Sequence, residues 1–558
     1  MDSTFRYSLL FALLGALFFI PFLGGVHLFD WDEINFAEIS REMIITKDYF
    51  RVYVNFLPFW EKPPFFFWLQ SAAMGLFRVN EFSARLPNAL CGILTLVLLF
   101  RIGQRLYSTR FGILWAGAYF GSVLPFLYFK SGIIDPWFNL FMFLGLYYFI
   151  KFYWKKENYD IRLFRNKWFY LFLGGLILGF GVITKGPVAY LIVVLTLGVY
   201  WLFQRFRFYI NPLHFIVFTV ATFLVTFAWY GLEYILHGPW FIREFNKYQY
   251  RLFSTPDAGH AGFPGYHFVV LLFGVFPASV FAVRSFFRMP KEERRYQRDF
   301  GLWMRILFWV VLILFTIVKS KIVHYSSMCY FPMTFLAALT IDKIISKKIR
   351  FSKAMKAGLW IIGGVYILAC LSLPVIGKNI ESLKTLFQKD KFALANLQAN
   401  VSWTWGHLVP GLFLLLVLVY GMNRFRKQKW QVGFVSLFGG TALFIMLAII
   451  FFINNIESYS QRAAIEFAEA RIGEDCYVVT EGYKSYVQLF YTRKQPPANP
   501  KSYDKEWLYT GAIDKPVYVI TKVTKLDQLA PYPEFKKIGE KNGFVFFKRE
   551  PGKPVAVP

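Results

Sequence analysis

Apolar runs long enough to cross a bilayer recur along this chain, separated by short polar stretches, and the rhythm predicts a bundle of membrane helices. Thirteen such runs fall at about 8–27, 86–104, 111–129, 133–153, 168–184, 186–203, 213–236, 266–286, 302–319, 327–345, 357–376, 407–424 and 432–453. A span needs roughly 20 mostly apolar residues, and these qualify. The first run follows Arg6 and carries no small-residue cleavage site, so it reads as a retained helix. The run 64–78 is shorter, starts at Pro63-Pro64 and ends at Arg78, which predicts an interfacial helix lying along the surface.

Composition sharpens that picture. Apolar residues make up 56% of the 558, aromatics 21% and charged residues 17%, and the mean hydropathy is +0.42. A soluble protein could not bury so much apolar surface. The net charge of +28 does not signal nucleic acid, because the basic residues cluster in short loops between spans. One set of loops (101–110, 151–167, 204–212, 284–305, 342–356 and 422–430) holds 28 Lys and Arg against 6 Asp and Glu. That excess marks the cytoplasmic side. It places the amino terminus inside and the carboxyl terminus outside. The four cysteines show no paired spacing, so neither a disulfide framework nor a zinc site is expected.

Two domains follow. Residues 1–455 are expected to form the transmembrane domain, with outer loops 28–85 and 237–265, and 456–558 a small α+β domain on the outer membrane surface. In that tail a helix is expected at 459–472 and β-runs at Cys476–Thr480, Ser485–Arg493, Val517–Thr524 and Phe544–Lys548.

The outer loops hold the candidate chemistry. Asp32 and Glu33 stand just past the first span among aromatic residues, where a carboxylate can act as a base or bind a cation. Glu38 and Glu42 sit four apart and read as a solvated acidic face. Glu61-Lys62-Pro63-Pro64 holds a cation on a stiffened backbone, which suits either a snorkelling lysine or a phosphate ligand. Asp135 before Pro136, and Lys185 in Thr184-Lys185-Gly186, interrupt spans on the same face. Tyr248, Arg251, His260 and His267 follow in one loop, and Lys321, His324 and Tyr325 in another. Single histidines are more often structural than catalytic. Convergence of acids, cations, His and Tyr on one face is what suits an anionic lipid whose phosphate is held while a bond at it changes.

These segments resemble the lipid A aminoarabinose transferases and, more broadly, the GT-C glycosyltransferases related to protein O-mannosyltransferases. The pattern D-E-x-R-Y-A-E-I-x-R-E-M is met from Asp32 to Met43, E-K-P-P from Glu61 to Pro64 and A-R-L-P from Ala84 to Pro87. T-K-G falls at Thr184 to Gly186 and K-x-x-H-Y at Lys321 to Tyr325. The resemblance implies a GT-C fold and a sugar donor on a polyprenyl phosphate such as undecaprenyl phosphate. Asp32 would then be the catalytic carboxylate, supported by Asp135. Lys62, Arg251 and Tyr325 would hold the donor phosphate with help from Lys185, and Glu33, Glu61, His260 and His324 would stand nearby. The anomeric carbon would be inverted.

The family's Arg-Tyr after the acidic pair is Asn35-Phe36 here. That departure leaves two acceptors open: a lipid A phosphate receiving an aminoarabinose-like sugar, or a protein or glycan hydroxyl. No cofactor is required by this reading. Glu61 with His260 or His267 offers ligands for a divalent metal, but too few to make a site. The rival outside enzymology is a transporter or flippase for an anionic lipid, which usually needs broken helices and midplane polar groups. A purely structural scaffold would not require the cluster at all.

Overall fold

The computed structural model describes residues 3–255, 262–384, 387–552 and 554. Helices dominate it. Helix α1 (Ser3–Phe19) leads through a loop to α2 (Asp32–Thr46), and a two-stranded ribbon, β1 (Tyr53–Val54) with β2 (Leu57–Pro58), precedes α3 (Phe65–Phe77) and α4 (Glu81–Leu106). The last starts on a capping box, in which the Asn80 carboxamide accepts from the Ser83 amide and the Ser83 hydroxyl accepts from the Asn80 amide. Among the described residues, eight helices are long and apolar enough to cross a membrane, or nine if one bent pair counts as a single span. This is a multi-pass membrane protein.

Each of the thirteen apolar runs contains helix, although in the first the helix ends at Phe19 and two others are broken. The run 266–286 divides into Tyr266–Gly274 and Ala278–Ser285, bent by 120°. Pro277 sits in the break, where it removes a backbone donor and ends the helix it would otherwise continue. The run 111–129 divides into Thr109–Phe120 and Val123–Tyr128. At its break Gly121 lies so close to the Phe438 carbonyl that a Cβ would fall 2.3 Å from the oxygen. Small residues serve the same end between Asp135–Lys156 and Lys167–Lys185, where a Cβ on Gly174 would lie 3.0 Å from the Gly145 carbonyl oxygen. Such close approach is how membrane helices gain contact without a hydrophobic driving force. The segment 64–78 forms α3 as the sequence implied.

The C-terminal part is a four-stranded sheet in the order β3-β4-β6-β5, from β3 (Tyr477–Glu481), β4 (Val517–Lys522), β5 (Lys536–Lys541) and β6 (Phe544–Arg549). β3 and β4 are parallel and the other pairs antiparallel. One expectation fails here, and one strand was not foreseen. Ser485–Arg493 is not a strand; its centre is the helical turn Val487–Phe490, and Val487, Leu489, Phe490 and Tyr491 are all buried. Burial on successive residues, not alternate ones, fits a turn wedged between layers. β5 was not anticipated because it is an exposed edge strand of Lys, Gly and Glu, which carries no apolar signal.

Candidate active site

The path from α1 to α2 is where the chemistry gathers. Arg85, on α4, is buried and reaches across to it. Its guanidinium holds Glu33 at 2.8 and 3.0 Å and donates to the carbonyls of Leu23, Val26 and His27 at 2.7–2.9 Å. Burial pushes the Glu33 carboxyl up, but Arg85 and the amides of Phe29 and Gly132 hold it below the usual range. Glu33 therefore faces a cavity yet is committed to the clamp. The same clamp sets α2 so that Asp32, at its first turn, projects with its side chain 46% exposed.

Glu38 and Glu42 are not a solvated face, as their spacing implied. Both are buried: Glu38 pairs with Arg41 at 2.7 Å, and Glu42 accepts from the amides of Asn55 and Phe56 at 2.6 and 2.8 Å. Burial, with Glu38 as neighbour, drives the Glu42 carboxyl well up. Arg41 also donates to the Lys494 carbonyl of the C-terminal part. Most of the acidic motif is thus a buried framework, and Asp32 is its chemically accessible acid.

Two cavities meet at Asp32. The larger, about 1040 Å³, lies between α2, the Glu61-Lys62 loop and residues 484–486 of the C-terminal part. The smaller, about 380 Å³, runs among apolar side chains such as Phe138, Leu191, Leu314 and Phe315. Asp32, Lys62, Tyr248, Leu252, Ile322 and His324 line both. At that junction the Lys62 ammonium donates to the Tyr248 hydroxyl at 3.4 Å and stands 4.9 Å from its ring centre. The Arg251 guanidinium is 5.3 Å from the same ring. His324 Nδ1 is 2.9 Å from the Tyr128 hydroxyl, and its Nε2 is 3.9 Å from Asp32. In the smaller cavity Asp135, buried, forms a 2.6 Å ion pair with Lys185, whose ammonium lies 5.7 Å from the Tyr325 ring.

Asp32, Glu61, Lys62, Arg251 and His324 are therefore brought to the larger cavity, and Asp135, Lys185 and Tyr325 to the smaller. His260 lies outside the described residues. His267 lines neither cavity; it is buried, with Nδ1 3.1 Å from the Ser326 hydroxyl. Among the described residues no group of three or more His, Cys, Asp and Glu could hold a metal ion, so Glu61 with His267 makes no such site. Lys321 of the K-x-x-H-Y element is a helix cap, donating to the carbonyls of Phe315, Thr316 and Val318 at 2.6–3.0 Å.

Three groups escaped the sequence reading. Tyr128 and Lys130 line the larger cavity from an apolar stretch that gave no signal. Lys484 enters it from the C-terminal part, whose lysines looked like surface charges.

The site is therefore a pair of joined cavities in a helical membrane bundle, closed on one side by residues next to a small β-sheet. The family model for dolichyl-phosphate-mannose-protein mannosyltransferases matches residues 61–230. The chain is 27% identical over 376 residues to the undecaprenyl phosphate-alpha-4-amino-4-deoxy-L-arabinose arabinosyl transferase of Erwinia tasmaniensis, covering 66% of this chain and 65% of that protein, just under two thirds of its length. It is 26% identical over 449 residues to the Pectobacterium atrosepticum protein of the same name, covering 75% of each. ArnT from Cupriavidus metallidurans, solved bound to undecaprenyl phosphate, superposes with a TM-score of 0.76 at 18% identity over 97% of this chain and 98% of that one. These likenesses carry the family resemblance first seen in the motifs, and the last of them gives the fold.

Proposed function

We infer that this chain is an integral-membrane glycosyltransferase that moves a sugar from a polyprenyl phosphate, of the undecaprenyl type, to an acceptor at the outer membrane face. The sugar is aminoarabinose-like and the acceptor a lipid A phosphate. One observation carries the reading: a cavity lined mainly by apolar side chains and a larger one richer in charged groups share a wall that includes Asp32, Lys62, Tyr248 and His324. A lipid chain suits the first and a hydrophilic acceptor the second. The relatives named for undecaprenyl phosphate aminoarabinose transfer support the donor and the sugar.

In the reaction the acceptor oxygen attacks the anomeric carbon, and the bond from that carbon to the lipid phosphate oxygen breaks. The phosphate leaves with the electron pair and gains negative charge. Lys62 and Arg251 stand where that charge develops, and fixed cations of this kind often supply the largest catalytic term. Asp32 orients the acceptor and takes its proton when the acceptor is a hydroxyl. Asp135 keeps Lys185 in place beside Tyr325 on the donor side. A second reading, with a protein or glycan hydroxyl as acceptor, is supported by the mannosyltransferase match and by uncharged Asn35 in the acceptor cavity.

The deciding experiment is transfer from a purified polyprenyl-phosphate sugar in liposomes, with lipid A and a protein acceptor offered in parallel. Movement of donor across the bilayer without transfer would make the protein a flippase instead. Lys62→Ala and Arg251→Ala should each reduce donor use about ten- to a hundredfold, since a charge-assisted hydrogen bond contributes roughly 1.5–3 kcal/mol. Unchanged donor affinity and turnover in both folded variants would remove these residues from the site.

The topology belongs to the same reading. Thirteen crossings place residues 1–455 in a bacterial inner membrane with the amino terminus cytoplasmic, and 456–558 as a periplasmic domain. The loop-charge bias supports this orientation. A reporter inserted near Lys291 should be cytoplasmic and one fused after Pro558 periplasmic. Finding both on one side would sink the thirteen-crossing topology.

A further inference from the structure

We propose that Lys484, carried by the C-terminal domain, anchors the acceptor through a phosphate and so makes the larger cavity selective for a phosphate-bearing glycolipid. This rests on the transferase reading above and adds to it the residue that chooses the acceptor.

The backbone that presents Lys484 is fixed to the membrane part on both sides. Its carbonyl accepts from the Trp31 indole at 3.1 Å. The next two residues bind Asp30, Ser485 through its hydroxyl and Tyr486 through its amide at 3.2 Å. Asp30 is half-buried in this seam and lines the larger cavity. Burial pushes its carboxyl up to about 6, against the opposing pull of Ser485, Tyr486, Lys522 and Lys484. Just upstream, Gly482 has φ +78°, and a Cβ there would lie 2.6 Å from the Lys525 side chain, so the turn has little freedom.

The side chain itself is held without being neutralised. The ammonium lies 5.3 Å from the Trp31 ring and 5.6 Å from the Tyr486 ring, platforms that orient a cation and leave its charge available. Among the described residues its ion-pair partner is Glu61, 3.9 Å away with Lys484 half exposed, a pair that water screens strongly, and Asp30 adds an attraction from beyond ion-pair distance. The other cations of the larger cavity have different employment. Arg85 is locked to Glu33. The Lys130 ammonium donates to the carbonyls of Phe18, Phe19 and Pro21. Lys62 and Arg251 stand at Tyr248, where the two cavities join. The cap side of the cavity thus draws its positive charge from Lys484, in a cavity that uncharged Asn35 also lines. A neutral hydroxyl acceptor gains nothing from that charge. A phosphate does, because an ammonium on a flexible stem binds it as a point charge.

The test uses the full-length protein in nanodiscs, with bisphosphorylated lipid A and its monophosphoryl form as acceptor probes. Lys484→Ala should raise the KM for the bisphosphorylated acceptor about tenfold or more, the scale of one charge-assisted hydrogen bond. The kcat should stay within a factor of about three, because Asp32 and the donor cations are intact. Affinity for undecaprenyl phosphate should not change, Lys484→Arg should recover most of the loss, and the monophosphoryl acceptor should be affected less. Equal KM values for wild type and Lys484→Ala would overturn the proposal, as would equal losses on both acceptors. Equilibrium binding of the same lipids separates the two readings. A wild type that binds bisphosphorylated lipid A through Lys484 but never transfers sugar would refute the transferase reading alone. Wild-type transfer that is indifferent to Lys484 would refute this one alone.

Discussion

Asp32→Asn is expected to lower sugar transfer by about 10²-fold or more while donor binding survives, the usual scale for a positioned acid or base. The substitution keeps the volume of the side chain and removes its charge and most of its basicity. Asp32 lines both cavities, is half open to them, and has His324 3.9 Å away with Tyr128 behind it. The donor-side cations do not depend on it, so a titration with undecaprenyl phosphate should be unaltered. The size of the loss also reports on the acceptor. An ionised phosphate needs no proton removed, so a smaller loss there than on a hydroxyl would assign Asp32 to orientation. Full transfer activity in the variant would exclude any catalytic part for this carboxylate.

The second large effect is on the fold. Arg85→Ala should destabilise the protein by about 3–5 kcal/mol, because it leaves one partner of a buried ion pair uncompensated. Four acceptor groups lose their donor at once: Glu33 and the carbonyls of Leu23, Val26 and His27. Thermal unfolding in detergent should show a lowered midpoint. Pairing Arg85→Met with Glu33→Gln should recover part of the loss, since it removes both buried charges together. An unchanged midpoint in Arg85→Ala would mean that water replaces the guanidinium and that the clamp is dispensable.

Those two residues show how unevenly the sequence spoke. The apolar runs were legible because length and composition alone define a span, and Asp32, Lys62, Asp135 and Lys185 were legible because charge at the end of such a run is rare. Within the acidic motif the sequence could not separate roles. Glu33, Glu38 and Glu42 look as exposed as Asp32, and only their partners say otherwise. Arg85 lies 52 residues from Glu33, and the amides that hold Glu42 belong to a turn after it. The bend at Pro277 was hidden inside an apolar run of acceptable length. Lys484 was invisible for a different reason: in a tail rich in lysine, nothing local marks the one whose backbone is pinned to Trp31.

The seam between the two ends of the chain also has a bearing on how the protein is made. The loop after α1 is made early, yet its polar groups find partners 431 to 463 residues further along the chain. The Leu28 amide donates to Tyr491 across 463 residues, the Asp30 amide to Gln461 across 431, and the Asp30 carboxylate accepts from Ser485 across 455. At about 5–20 residues per second, synthesis of that interval takes on the order of a minute. Throughout it, α1 and α2 are joined by a segment whose final geometry does not yet exist, and Trp31 has no carbonyl to meet. A nascent chain cut short before the sheet would carry most of the cations and carboxylates described above and still lack the side of the larger cavity that Lys484 and Tyr486 form. On the transferase reading proposed above, a chain truncated before the sheet is expected to be inert, because one side of the larger cavity is missing from it.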